Sequence, residues 1–508
     1  MASVPSLTLA VALLVSSFGC RAGAQASAYD QPFRPQVHFS PLQHWTNDPN
    51  GLVFFHGEYN LFYQYNPFGD QWGHMSWGHA VSKDLLHWKE LPVALSEHNG
   101  IMVFTGSIVV DRHDTSGLCP RKSKCLVAIY TGSSNTREGP RQNQNLAYSL
   151  DGGRTWTQYR GNPVLDPHRA NFRDPSVSWD QREHHWVMAV SLPREHKVSF
   201  YSSPDLKVWT RLSDFGPAGD TAGDWECPDL LQIPAAGSRK RKIWALKVGL
   251  NPGAPQGGSG EQYFLGSFDG KSFSVSSTPG AHGWTNYGKD DYCAISFNGL
   301  RSREKPVLLG WMSNWQYASR LPTAPWRGQM SLPRRLSFVQ DQAGLALRQQ
   351  PVIAPLRATT RAVSAAVIGG NASNLADLIS PAELDLTFSA GANAKFGLRL
   401  YSDATHWTEI GFDRSRSEFY IDRTRSGLAI SSDFRARTSA PLVPGRPMNL
   451  TLIVDRSSVE AFVQDGTIVM TDLIYPPSSK NRVQIFSNAG STLLAKGKIH
   501  ELHSIWSK

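Results

Sequence analysis

Three short stretches place a carboxylate where it could do chemistry. In "HWTNDPNG", residues 44–51, Asp48 lies among turn formers and behind Trp45. Asn47 through Gly51 can simply close one strand and open the next, with Asp48 as a turn residue. The same Asp48 could instead serve as a nucleophile if partner carboxylates occur elsewhere in a matching setting. Two candidates exist: Asp174 beside Arg173 in "FRDP", residues 172–175, and Glu226 between Trp225 and Cys227 in "WECPDL", residues 225–230. Each has a plainer reading by itself. An Arg-Asp pair makes a turn with a surface ion pair, and a Trp-Glu-Cys segment makes a half-buried edge with a backbone hydrogen bond.

Other chemistries find less support. There is no CxxC pair and no HExxH, and the 16 histidines are dispersed, so neither a metal nor a cofactor is expected. Cys119 and Cys125 bracket "PRKSK" between apolar segments, a spacing that suits a loop-closing disulfide. Cys227 adjoins Glu226 with no histidine nearby in sequence, and it is read as a buried packing thiol. The formal charge is +9, with basic residues bunched in "SRKRK" at 238–242. That run sits between strand-like segments and reads as a solvated hairpin tip. No nucleic-acid reading module accompanies it, so no nucleic-acid partner is expected.

The elements that must position these carboxylates are strands. "GLVFFHGEYNLFYQYN", residues 51–66, reads as a hairpin, and "CLVAIYTG", "HHWVMAVSL" and "KIWALKVGL" continue the pattern. Amphipathic helices are scarce. A weak echo recurs in "AVSKDLLHW" (80–88), "AYSLDGGRTW" (147–156), "YSSPDLKVW" (201–209) and "GSFDGKSF" (266–273), each a strand, a serine, an aspartate turn and a closing aromatic. Such repetition predicts small sheets arranged as a propeller, whose axis lets residues distant in sequence meet.

The texture changes after 338. Residues 339–354 read as a linker, and 355–508 as a β-sandwich, with Met448, Leu450, Leu452 and Val454 sharing one face. Residues 1–26 carry an apolar run and then small residues, the pattern of a cleavable export signal, so a secreted or periplasmic chain is expected. The residues ahead of Cys20 make a poor lipobox, which argues against a lipid anchor there. No later run is long and apolar enough to span a bilayer.

The ordered set "HFSPLQHWTNDPNG" (38–51), "QYNP" (64–67), "WGHMSWGHAVSKDLLHW" (72–88), "FTGS" (104–107), "FRDP", "WECPDL", "WMSNWQYA" (311–318) and "PTAPWRGQMSLPR" (322–334) resembles glycoside hydrolase family 32, the fructan hydrolases and invertases. "DRSSVEAFVQDG" (455–466) extends the resemblance, less strongly, into the second domain. The resemblance implies an all-β chain with a five-bladed propeller over 33–338 followed by the sandwich. It implies Asp48 as nucleophile, Asp174 as transition-state stabiliser and Glu226 as general acid and base, with Asn47, Gln64, Trp72, Phe104, Ser107, Arg173 and Trp315 around the substrate. Asn47 and turn amides should keep Asp48 ionised, and Trp225, Cys227 and Pro228 should give Glu226 apolar surroundings.

Two positions depart from the family pattern. Thr46 stands where an aliphatic residue is usual, and Thr105 replaces the commoner serine. The implied activity is release of terminal fructose from levan or inulin, with sucrose also cleaved, by a chain expected to be monomeric. A dedicated invertase, a fructosyltransferase and a noncatalytic carbohydrate-binding propeller are the alternatives.

Overall fold

The computed structural model describes residues 28–507, apart from 121–123, 236–241, 278–280, 302–303, 342–343, 368–369, 371, 392–393 and 489–492. The segment 1–26 with Cys20, and all of "SRKRK" but Lys242, lie outside the described residues. Among those described, the helical elements between the strands are single 3₁₀ turns such as Pro193–Glu195, and no helix is long and apolar enough to cross a membrane.

Five antiparallel blades follow one another along the chain. Their innermost strands are His44–Phe55, Met102–Asp111, Arg173–Asp180, Asp224–Pro234 and Tyr292–Ser296. The repeated serine and aspartate explain how successive blades turn. Asp84, Asp151, Asp205 and Asp269 each accept backbone N–H groups two to four residues on, as in Leu86, Arg154, Lys207 and Lys271. The closing aromatics then fill the gaps between blades. Trp156 packs on a cluster joining Phe62 of the first blade to Leu126 of the second, and Phe273 joins one that includes Phe200 and Leu246 of the third and fourth. The ring closes where Trp326–Arg327 adds in parallel to His44–Trp45 of the first blade.

Residues 339–354 are not a linker. Arg334–Asp341 pairs along its whole length with Gly344–Pro351, from Arg334 opposite Pro351 to Asp341 opposite Gly344, and these are the outer strands of the fifth blade. Outer strands are partly solvated, so "QDQAGLALRQQP" lacks the apolar density that marks the inner ones.

Two six-stranded sheets follow, with Leu384, Leu386, Leu450, Leu452 and Val454 of one packed against Phe396, Leu398, Ile410 and Phe412 of the other. Met448 packs at the edge of this core. The sandwich grips the propeller through Phe39, Leu332, Ile453 and Phe462, and through buried charges. Arg334 donates to Asp291 and Glu460, both at 2.6 Å, while Arg423 donates to Asp290 at 2.6 Å. His38 lies 2.8 Å from Asp455 and 3.4 Å from Glu460.

Candidate active site

Every innermost strand breaks register at the same level. The irregularities fall between Thr46 and Pro49, Val103 and Gly106, Arg173 and Ser176, Glu226 and Asp229, and Tyr292 and Ile295. A bulge re-aims the side chain it carries. The residues re-aimed here are Asp48, Thr105, Asp174, Cys227 and Cys293, and they converge on the propeller axis. Asp174, Cys227 and Cys293 adopt φ of 65°, 48° and 49°, a left-handed conformation that costs free energy in non-glycine residues and gathers at functional sites.

The bonds made at this level run from blade to blade. Thr105 Oγ1 donates to Asp48 Oδ2 at 2.8 Å, and Thr131 Oγ1 accepts from the Asp174 N–H at 3.0 Å. Arg173 Nε donates to Glu226 Oε1 at 2.9 Å, with its Nη2 3.4 Å from Asp224. The Tyr292 hydroxyl donates to Glu226 Oε2, and the Cys227 N–H donates to Asp174 Oδ2 at 3.0 Å. Asp48 Oδ1 is buried without a hydrogen-bond partner.

The electrostatics differ from expectation at both Asp48 and Glu226. Burial lifts the Asp48 carboxyl to about 6, the Thr105 hydrogen bond opposes the rise, and the neighbouring Glu226 adds to it. The Asn47 side chain does favour ionisation, as expected, but it does not keep Asp48 low. Burial and the Glu226 charge likewise raise Asp174, against the pull of Arg173. Glu226 does not sit in an apolar niche. Its carboxylate is held by Arg173 and Tyr292, while Trp225 is fully buried between the third and fourth blades. Adjacent residues of a strand point to opposite faces, so Trp225 cannot flank the Glu226 carboxyl.

The remaining candidates fall at different depths. Phe104 and Trp315 pack with Trp45, Tyr292 and Cys227 as one wall, and Trp315 lies over Trp45 at 5.9 Å. Trp72 is 45% exposed and meets Phe104 edge-on at 6.0 Å, so it stands at the mouth. Asn47 accepts from Trp45 Nε1 at 2.8 Å, and Gln64 Nε2 donates to the Val103 carbonyl at 3.0 Å. Ser107 lies deeper: its hydroxyl accepts from the Val177 N–H at 2.9 Å, tying the second blade to the third.

At that lower level Ser176 donates to Asp229, Asp229 accepts from the Ser296 N–H, and Asn298 donates to the Ile108 and Val177 carbonyls. The axis here narrows to a cavity of about 20 Å³ lined by Thr105, Ser107, Asp174 and Asn298. That is room for about one water molecule.

The sequence does not show Thr105 as a partner of Asp48, Tyr292 as a partner of Glu226, or Cys293, one of four cysteines beyond residue 26, as the partner of Cys227. Cys227 is not a free thiol: it is bonded to Cys293, and Cys119 is bonded to Cys125. Four cysteines lie beyond residue 26, and that even number is the signal the sequence offers, since pairing two of them leaves two that can pair.

The sequence comparisons agree with this architecture. Residues 38–351 match the glycosyl hydrolases family 32 N-terminal domain and 353–501 match the family 32 C-terminal domain. The chain is 43% identical over 506 residues to a levanase of Bacillus subtilis, covering 97% of this chain and 74% of that protein. It is 39% identical over 527 residues to an extracellular exo-inulinase of Aspergillus niger, covering 95% and 97%. The crystal structure of exo-inulinase from Aspergillus awamori superposes with a TM-score of 0.86 at 37% identity, over 94% of this chain and 100% of that one. Fold and site thus define a glycoside hydrolase. The chain belongs to glycosyl hydrolases family 32.

Proposed function

We propose that this protein is a retaining exo-β-fructosidase that releases terminal fructofuranosyl units from levan or inulin, and also cleaves sucrose. Asp48 attacks the ketal carbon C2 while Glu226 passes its proton to the departing oxygen. Glu226 then takes a proton from water, which attacks the fructosyl-Asp48 ester from the same face and restores the original configuration. Asp174 holds ring hydroxyls, and its charge gains strength as positive character develops on the ring. Trp72, Phe104 and Trp315 wall the sugar, with Asn47 and Gln64 as polar neighbours. Arg173 anchors Glu226. Ser107, one level down, supports the floor and does not face the mouth.

The observation that carries the exo reading is the narrowed axis: three carboxylates from three blades converge above a cavity of only about 20 Å³, lined by Asn298, whose side chain ties the second blade to the third. An internal unit of a polymer has chain on both sides and could not lower its ring there, whereas a terminal unit can. Time-resolved chromatography on levan and inulin tests this. Free fructose should dominate from the first minutes while mean chain length falls slowly. Early tri- to pentasaccharides with a rapid loss of viscosity would refute the pocket. The two disulfides suit an oxidising compartment, and with the leader-like segment 1–26 they support export to the periplasm or beyond.

A further inference from the structure

We propose that the Cys227–Cys293 disulfide is a positioning device for proton transfer: it locks the innermost strands of the fourth and fifth blades so that Tyr292 holds the Glu226 carboxyl in place. The assignment rests on the reading of Glu226 given above. Glu226 and Cys227 are consecutive on one strand, Tyr292 and Cys293 on the other, so the hydrogen bond and the covalent bond lie side by side. No sheet ladder joins these two strands, which belong to different blades. Both cysteines sit at the register shift of their strand in left-handed backbone, where the chain is least constrained by its own ladder.

The bridge also floors the site. Cys227 Sγ lies 3.7 Å from Asp174 Oδ2 and 4.0 Å from Asp48 Oδ2, and the cysteines are 2% and 0% exposed. Cys119–Cys125 differs in kind, closing a loop of sequence separation 6 away from the carboxylates.

A bridge that merely stabilised the fold would affect all substrates alike. Cys293→Ser should lower kcat on sucrose and levan by about ten- to a hundredfold, the scale expected when a catalytic group is slightly misplaced. It should leave KM on these substrates nearly unchanged and spare kcat/KM, which reports only the first half-reaction, on a fructoside whose leaving group departs without a proton. Tyr292→Phe should show the same split, and the double variant should be no worse than the poorer single one. Cys119→Ser with Cys125→Ser should show no split.

If Cys293→Ser does not fold, the folded wild type supplies a second route. A water-soluble phosphine reduces the bridge, taking oxygen from water to become its oxide and leaving two thiols, and enzyme opened at this bridge should show the same selectivity. Equal losses on both substrates, additivity with Tyr292→Phe, or no loss would overturn the proposal. Glu226→Gln separates the two ideas: if it keeps full activity on sucrose, the reading of Glu226 fails. If it is inactive while Cys293→Ser is normal, only the bridge proposal fails.

Discussion

Thr105 on the second blade donates a 2.8 Å hydrogen bond to Asp48 on the first, and this bond is the chief local force opposing the rise that burial imposes on the Asp48 carboxyl. A donor to the ionised form lowers the pKa, and its loss raises it. With Asp48 at about 6, kcat/KM should climb through about that pH as the carboxylate forms. Thr105→Val should move this acid limb upward and reduce kcat/KM below it, while Thr105→Ser should leave it in place. A pH–rate profile on a neutral fructoside reads the shift.

Asp48→Asn and Glu226→Gln should each cost several orders of magnitude in turnover without unfolding the chain, since each removes a group that makes or breaks the bond. Rescue separates their roles. With an activated fructoside, Glu226→Ala should accept azide with retained configuration and Asp48→Ala should not. Azide rescue of the Asp48 variant alone would exchange the two roles.

The interface between propeller and sandwich should make stability depend on pH. Burial alone would lower His38, but Asp455 and Glu460 outweigh it and lift it to about 9. Burial would raise Glu460, yet Arg334 and His38 bring it down to about 2. A raised histidine contributes stability that is full below its unfolded value of 6.5 and is lost as pH rises through 9. A depressed glutamate contributes stability that is full above its unfolded 4.5 and is lost as pH falls through 2. From these two groups Tm should peak between those unfolded values, and His38→Gln should flatten its alkaline decline. Calorimetry across pH checks both.

Arg334 neutralises Asp291 and Glu460 together in a fully buried setting. Arg334→Met should destabilise the chain by about 3–5 kcal/mol, because it strands two carboxylates without water. Glu460→Gln should cost less, since Asp291 keeps its partner. Denaturant titration of the two variants gives the order.

The sequence carried the fold's repeat well and the site's geometry poorly. Asp84, Asp151, Asp205 and Asp269 announce the turns because an aspartate that caps two or three amides is a local device, visible within a few residues. The strand Gly344–Pro351 was invisible as such because an outer strand buries few of its residues. The partnerships of Thr105, Tyr292 and Cys293 are hidden in the sequence for a different reason. Their partners, Asp48, Glu226 and Cys227, are 57, 66 and 66 residues away, and only ring closure brings them together. The surroundings of Glu226 were misjudged because Trp225 and Cys227 are its neighbours in sequence, while Arg173 and Tyr292 are its neighbours in space.

The five aligned bulges give the site a collective owner. Each hairpin can form its own ladder, yet none holds more than one re-aimed side chain, and Asp48 meets Thr105, and Glu226 meets Tyr292, only across a seam between blades. Activity is therefore a signal of ring closure. During refolding it should appear after the strands do, in a single late step, and a cut between two blades that loosens one seam should silence the enzyme while most of its β-structure survives.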